Sequence, residues 1–174
     1  MKGKTMQPDH VLINALRDEA HRIEEDSIYS AKRHFNECDI WTRSHYVLGI
    51  PAALLAALVT TALIKNYTDL AQALAMASAL LVALLTFLKP NDRASQHRAV
   101  GNQYLALRND ARMYREIDLA EPIDDVKKSE RLRSMAQRRT DLNASAPTTG
   151  DRAFKKARRG IEEGQASYLA DKKD

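Results

Sequence analysis

YVLGIPAALLAALVTTALI (residues 46–64) and LAQALAMASALLVALLTFL (70–88), joined by KNYTD (65–69), decide how the chain folds. Neither apolar run contains a charged residue, and five residues separate them. A run of this length spans about 28 Å as a helix, at about 1.5 Å per residue, which matches a bilayer's hydrocarbon thickness of about 30 Å. The reading is a transmembrane helical hairpin. A buried helix pair in a soluble core is the competing reading, but core helices of soluble domains ordinarily keep a polar face.

Composition becomes intelligible once the chain is divided at this hairpin. The mean hydropathy of the 174 residues is −0.46, and 27 Lys and Arg stand beside 23 Asp and Glu. Only Lys65 and Asp69 of these lie within 46–88. An oily hairpin is therefore attached to a very polar remainder, with too few apolar residues outside it for a second large core. The first 45 residues hold no apolar run, so no signal peptide is expected and the first span serves as its own insertion signal. Cys38 is the single cysteine and allows no intramolecular disulfide.

Basic residues set the expected orientation. Lys32, Arg33 and Arg43 precede the first span, Lys89, Arg93 and Arg98 follow the second, and the loop has only Lys65. The positive-inside rule then puts both termini in the cytoplasm and the loop on the outside. Trp41, Tyr46 and Tyr67 suit the interfaces.

Small residues at four-residue spacing mark the faces on which helices can approach closely in lipid. Gly49, Ala53 and Ala57 form one such face of the first span, and Ala52, Ala56 and Thr60 the adjoining one; Ala71, Ala75 and Ala79 do the same in the second, beside the polar Gln72, Ser78 and Thr86. These are candidates for helix packing or for lining a pore. Pro51 removes one backbone hydrogen bond from the first span, and Asp69 is the expected N-cap of the second.

Outside the spans the chain is read as all helix: a tail over 1–9, a helix over 10–45, the hairpin over 46–88, a helix over 91–120 and a C-terminal helical hairpin over 123–174. Ile13, Leu16, Ala20, Ile23, Ser27, Ser30, His34, Glu37 and Trp41 alternate spacings of three and four, as do Arg93, His97, Val100, Tyr104, Leu107, Ala111 and Tyr114. Both are heptad seams, and they place two helices where they can pair antiparallel. Gly101 beside the second seam costs about 1 kcal/mol of helix propensity, so close approach of another backbone is expected there. Lys89-Pro90-Asn91-Asp92 reads as a stop followed by a new cap. Leu132, Met135 and Leu142 share one face of the following helix, residues 143–150 form a turn, and Asp151 is the expected cap of a last helix with Phe154, Ala157, Ile161, Gly164 and Tyr168 in its seam.

Catalytic patterns are missing: the sequence has no Cys or His cluster, no phosphate-binding glycine loop and no nucleophile elbow. His97 has no second ligand at metal-binding spacing and reads as a packed histidine. Adjacent acids such as Glu24-Glu25, Asp124-Asp125 and Glu162-Glu163 diverge on a helix and read as exposed charge. Lys155, Lys156, Arg158 and Arg159, with Arg138 and Arg139, form basic clusters. Residues 121–174 nevertheless hold 13 basic and 10 acidic side chains. That balance favours a mixed, solvated face, or contact with a partner or with anionic headgroups, over nucleic acid. Neither an enzyme nor a cofactor is expected.

The order of two spans with a short loop, then His97, Gly101, Tyr104, Leu107 and Arg108, then Leu142-Asn143 with Pro147, and finally Phe154, Ala157, Ile161, Gly164 and Tyr168, resembles SLATT domains from about residue 10 onward. These are bacterial two-helix membrane modules associated with nucleotide signalling and other conflict systems. The resemblance implies a membrane effector that opens a pore when a separately encoded sensor or regulator, such as a nucleotide-signalling enzyme or reverse transcriptase, detects infection. It implies no catalytic residues. His97, Gly101, Tyr104 and Arg108 are then candidates for packing among the cytoplasmic helices. One hairpin cannot enclose an aqueous path, so a homo-oligomer in the bilayer is expected. The alternative is a membrane-anchored helical scaffold that binds a protein or nucleic acid without forming a pore.

Overall fold

The computed structural model describes residues 8–165, with side chains from residue 11. Five helices follow one another: α1 (Pro8–Ile64), α2 (Thr68–Leu88), α3 (Pro90–Met113), α4 (Asp125–Ser145) and α5 (Asp151–Glu162), with a π-helical turn, Tyr114–Asp118, extending α3. No strand occurs among the described residues. The chain divides into two compact units, one of residues 1–36 and 98–174 and the other of residues 37–97. Of the expected tail over 1–9, residues 1–7 lie outside the described residues, as does the seam position Tyr168, whereas Pro8 and Asp9 already belong to α1.

The second unit contains the apolar hairpin. α1 continues through Pro51 to Ile64, and the chain then reverses over 65–67. Asn66 takes the left-handed conformation (φ 58°), which an Asn side chain tolerates better than most. Its amide donates to the Leu63 carbonyl at 3.0 Å and the Tyr67 amide to Ala62 at 2.9 Å, which together satisfy two carbonyls that the helix end would leave bare. α2 starts at Thr68 with Tyr67 in the cap position and no side-chain cap bond, so Asp69 is a first-turn residue and not the N-cap. Its carboxylate still lies at the positive end of the helix dipole. At the far end Lys89 is left-handed (φ 45°), and its amide closes on the Leu85 carbonyl at 3.0 Å. α3 begins at the very next residue. Pro90, whose fixed φ suits a first helical position, makes a separate cap at Asn91 or Asp92 unnecessary.

Apolar side chains of the hairpin mostly point away from the chain. Only 11% of the most apolar window of each helix is buried, and Leu54, Leu58, Met76, Leu80 and Phe87 are all more than half exposed. A soluble core pair would bury these side chains; lipid is the solvent in which they are stable outward. The protein is an all-α membrane protein with a two-helix hairpin and long helices on both sides of it in sequence.

The first unit is a bundle of α1 up to residue 36, α3 from residue 98, α4 and α5. Its core joins Leu16, Ala20, Ile23 and Ala31 of α1 to Tyr104, Leu107, Ala111 and Tyr114, and to Leu132, Met135 and Leu142 of α4. Within this unit the apolar positions of both heptad seams therefore face inward. The helix expected over 91–120 ends in the π-turn, where the Leu119 amide reaches the Tyr114 carbonyl at 3.1 Å. Tyr114 is fully buried there and its hydroxyl donates to the Lys128 carbonyl at 2.9 Å. Asp124 caps α4 by accepting from the Val126 amide at 3.2 Å.

α5 departs further from the sequence reading. Gly150, not Asp151, is its cap residue. Its buried residues are Ala153, Ala157 and Gly160, while Phe154 is 45% exposed and Gly164 is exposed. The inward face is thus rotated by about one position from the Phe154, Ala157, Ile161 seam. Small side chains allow the backbones to come close, so Asn36 Nδ2 donates to the Ala153 carbonyl at 3.2 Å. Gly164 (φ 82°) belongs to the helix stop, where its amide and that of Gln165 close on Ile161 and Gly160.

Candidate functional site

In the hairpin unit the two spans meet along one seam only. Ala52 and Ala62 on α1 and Ala71 and Ser78 on α2 are buried. Ser78 Oγ donates to the Ala52 carbonyl at 2.9 Å. An interhelical bond of this kind in lipid is worth about 0.6 kcal/mol, because the unfolded chain in the membrane also finds partners. Among the packing candidates, Ser78 is thus in the seam, and Gly49 borders it. A Cβ on Gly49 would stand 3.7 Å from Leu85, an ordinary contact, so this glycine is not required by packing. Ala53, Ala57, Thr60, Gln72, Ala75 and Ala79 are exposed. The buried face is the neighbouring one, through Ala52.

His97 belongs to the same unit and is 5% exposed. Burial lowers its pKa below the usual 6.5, Arg93 pushes the same way, and Glu37 opposes both. The Arg93 guanidinium also lies 4.7 Å from the centroid of the Trp41 ring. At a partly exposed site that contact is worth about 0.5–1 kcal/mol.

The other three packing candidates lie in the bundle unit. Gly101 faces the ring of Phe35: a Cβ would come within 2.9 Å of Cε1 and 3.1 Å of two other ring atoms. Close approach is therefore real, but the neighbour is an aromatic side chain and not a backbone. Tyr104 is buried, stacks on His34 with centroids 5.7 Å apart, and donates its hydroxyl to Asn143 Oδ1 at 2.7 Å. Burial raises its pKa, and Arg33 partly offsets this. Arg108 is buried with Nε 4.0 Å from Glu24 Oε1.

Glu24 is a residue that sequence reasoning placed wrongly. Its carboxylate is buried and held by Arg115, whose Nη2 and Nε lie 3.0 and 3.2 Å from Oε2. Glu25 beside it is exposed, as expected for an adjacent pair that diverges on a helix. Nothing in the heptad pattern separates the two, because the partners of Glu24 come from a segment about ninety residues away.

The basic clusters divide as well. Arg138 pairs with Asp110 at 2.7 Å and Arg139 with Asp26 at 2.8 Å, so both tie α4 to its neighbours. Arg158 pairs with Glu162 at 2.7 Å along α5. Lys155, Lys156 and Arg159 are exposed.

Comparison with curated proteins and with solved structures finds no match. A family model does match, over residues 12–173, and its description is the SMODS and SLOG-associating 2TM effector domain family 4. Two apolar helices with outward-facing side chains are what a two-span domain requires, and the match covers nearly all of the chain. The protein belongs to the SMODS and SLOG-associating 2TM effector domain family.

Proposed function

We propose that the protein permeabilises a bacterial inner membrane as the effector of an anti-phage or conflict system, acting as a homo-oligomer triggered by a separately encoded partner. One observation carries this reading. Closing the hairpin leaves Ala53, Ala57, Thr60, Gln72, Ala75 and Ala79 exposed, and in lipid such small and polar positions are best satisfied by other helices. Neighbouring copies are the natural source. The family's association with SMODS and SLOG proteins supports a separate partner, and the excess of Lys and Arg flanking the spans supports cytoplasmic termini.

Leucine at both Ala53 and Ala57 tests this, since it adds bulk to the outward face while keeping the span apolar and insertable. The double variant is expected to reach the membrane yet no longer depolarise induced cells, as read by a membrane-potential dye. Charge reversal at Lys155, Lys156, Arg158 and Arg159 is expected to change when leakage begins and not how far it goes. If the leucine double variant is tolerated without effect and the charge reversals abolish function, the hairpin is a tether and the bundle is a scaffold. A wild-type protein that never depolarises cells, with its genomic neighbours present and phage added, would sink the pore reading.

A further inference from the structure

Between α1, α4 and α5 of the bundle unit lies a groove of about 510 Å³ whose lining is too particular for an incidental gap. Arg33 and Tyr29 come from α1, Arg139 and Asn143 from α4, and Phe154 and Arg158 from α5. Two of the three cations are already matched at the rim, Arg139 by Asp26 at 2.8 Å and Arg158 by Glu162 at 2.7 Å. Arg33 differs from both. Its guanidinium lies 6.0 Å from the centroid of Phe154 and, among the described residues, has no carboxylate paired with it. A guanidinium without an ion partner is a natural seat for an anion, and a carboxylate matches its fork geometry.

Beside that donor stand two flat apolar faces, Tyr29 and the 45% exposed Phe154. Asn143, also in the lining, accepts from Tyr104 through Oδ1, so its amide N–H groups are the part of that side chain able to donate. Glu25, the remaining carboxylate of the lining, is exposed at the mouth and opposes a second negative charge. We infer that the groove binds a small ligand with one carboxylate next to a flat ring, the carboxylate on Arg33 and the ring against Phe154 and Tyr29. Such a ligand bridges α5 to α1, adding to the contacts of Lys32 with Gln165, Asn36 with Ala153 and Arg33 with Phe154. The inference is independent of pore formation, because it concerns binding by the bundle alone.

Benzoate is the probe, measured by saturation-transfer NMR on the full chain in detergent micelles with empty micelles as the blank. Saturable benzoate binding is expected, at least tenfold stronger than binding of acetate, which lacks the ring, or benzyl alcohol, which lacks the charge. Phthalate, with a second carboxylate, should bind more weakly than benzoate. Arg33→Gln should weaken benzoate at least tenfold, and Phe154→Leu, at an exposed position, should weaken it severalfold without disturbing the fold. If circular dichroism shows Arg33→Gln to be misfolded, Phe154→Leu decides. No saturable benzoate signal above the blank, equal binding of benzyl alcohol, or an unchanged affinity in a folded Arg33→Gln or in Phe154→Leu would overturn the assignment.

Discussion

Gly101→Ala pits two effects of similar size against each other. Alanine in a helix interior is favoured over glycine by about 0.8–1.0 kcal/mol. Here, however, the new Cβ would sit 2.9 Å from Phe35 Cε1 and 3.1 Å from Cδ1 and Cζ. Three short contacts to one ring cannot be relieved by turning the tip of a flexible chain, because the ring belongs to a residue packed against the buried core. Overpacking of this kind costs about 1–3 kcal/mol, so the net effect is a loss of up to about 2 kcal/mol. In a Phe35→Leu background the ring is gone, the propensity term acts alone, and the same substitution should stabilise by up to about 1 kcal/mol. Urea titration of the full chain in mild detergent, followed by far-ultraviolet circular dichroism, measures all four corners of the cycle. The sign reversal is the diagnostic, with a coupling of about 1–3 kcal/mol expected. An increase in stability for Gly101→Ala with Phe35 intact, or the same sign in both backgrounds, would refute the argument.

Ser27 is fully buried with an Oγ that makes no hydrogen bond, so Ser27→Ala should raise the denaturation midpoint by about 1–2 kcal/mol equivalent, and a lower midpoint would show the hydroxyl to be bonded. His97 has a pKa lowered by burial, so the unfolded chain binds its proton first. Stability should therefore hold above pH 6.5 and fall as the pH drops below it toward the folded pKa, with the decline flattened in His97→Gln. Melting curves from pH 8 to about pH 5 read this directly. For topology, a cysteine at Thr68 in a Cys38→Ser background should react with an impermeant thiol reagent in intact cells, whereas labelling at Ser129 instead would reverse the orientation.

The sequence by itself determined the hairpin, because 19 uncharged residues on either side of a five-residue turn have few other stable states. It also determined both heptad seams, since Leu16, Ile23, Leu107 and Tyr114 repeat at helical spacing and are buried in the fold. Other features were decided only by tertiary packing. Alanine is so frequent in the first span that Ala52 and Ala53 each begin a small-residue face, and only the partner helix, through Ser78 and the Ala52 carbonyl, selects the first of them. Glu24 and Glu25 are alike to any local rule, yet Arg108 and Arg115 draw one carboxylate inward and leave the other in solvent. In α5 the largest apolar side chain, Phe154, suggested the buried face, but close approach to α1 required the small Ala153, Ala157 and Gly160. Periodicity records which positions share a face. Which of two similar faces turns inward depends on the shape and charge of a surface contributed from elsewhere in the chain.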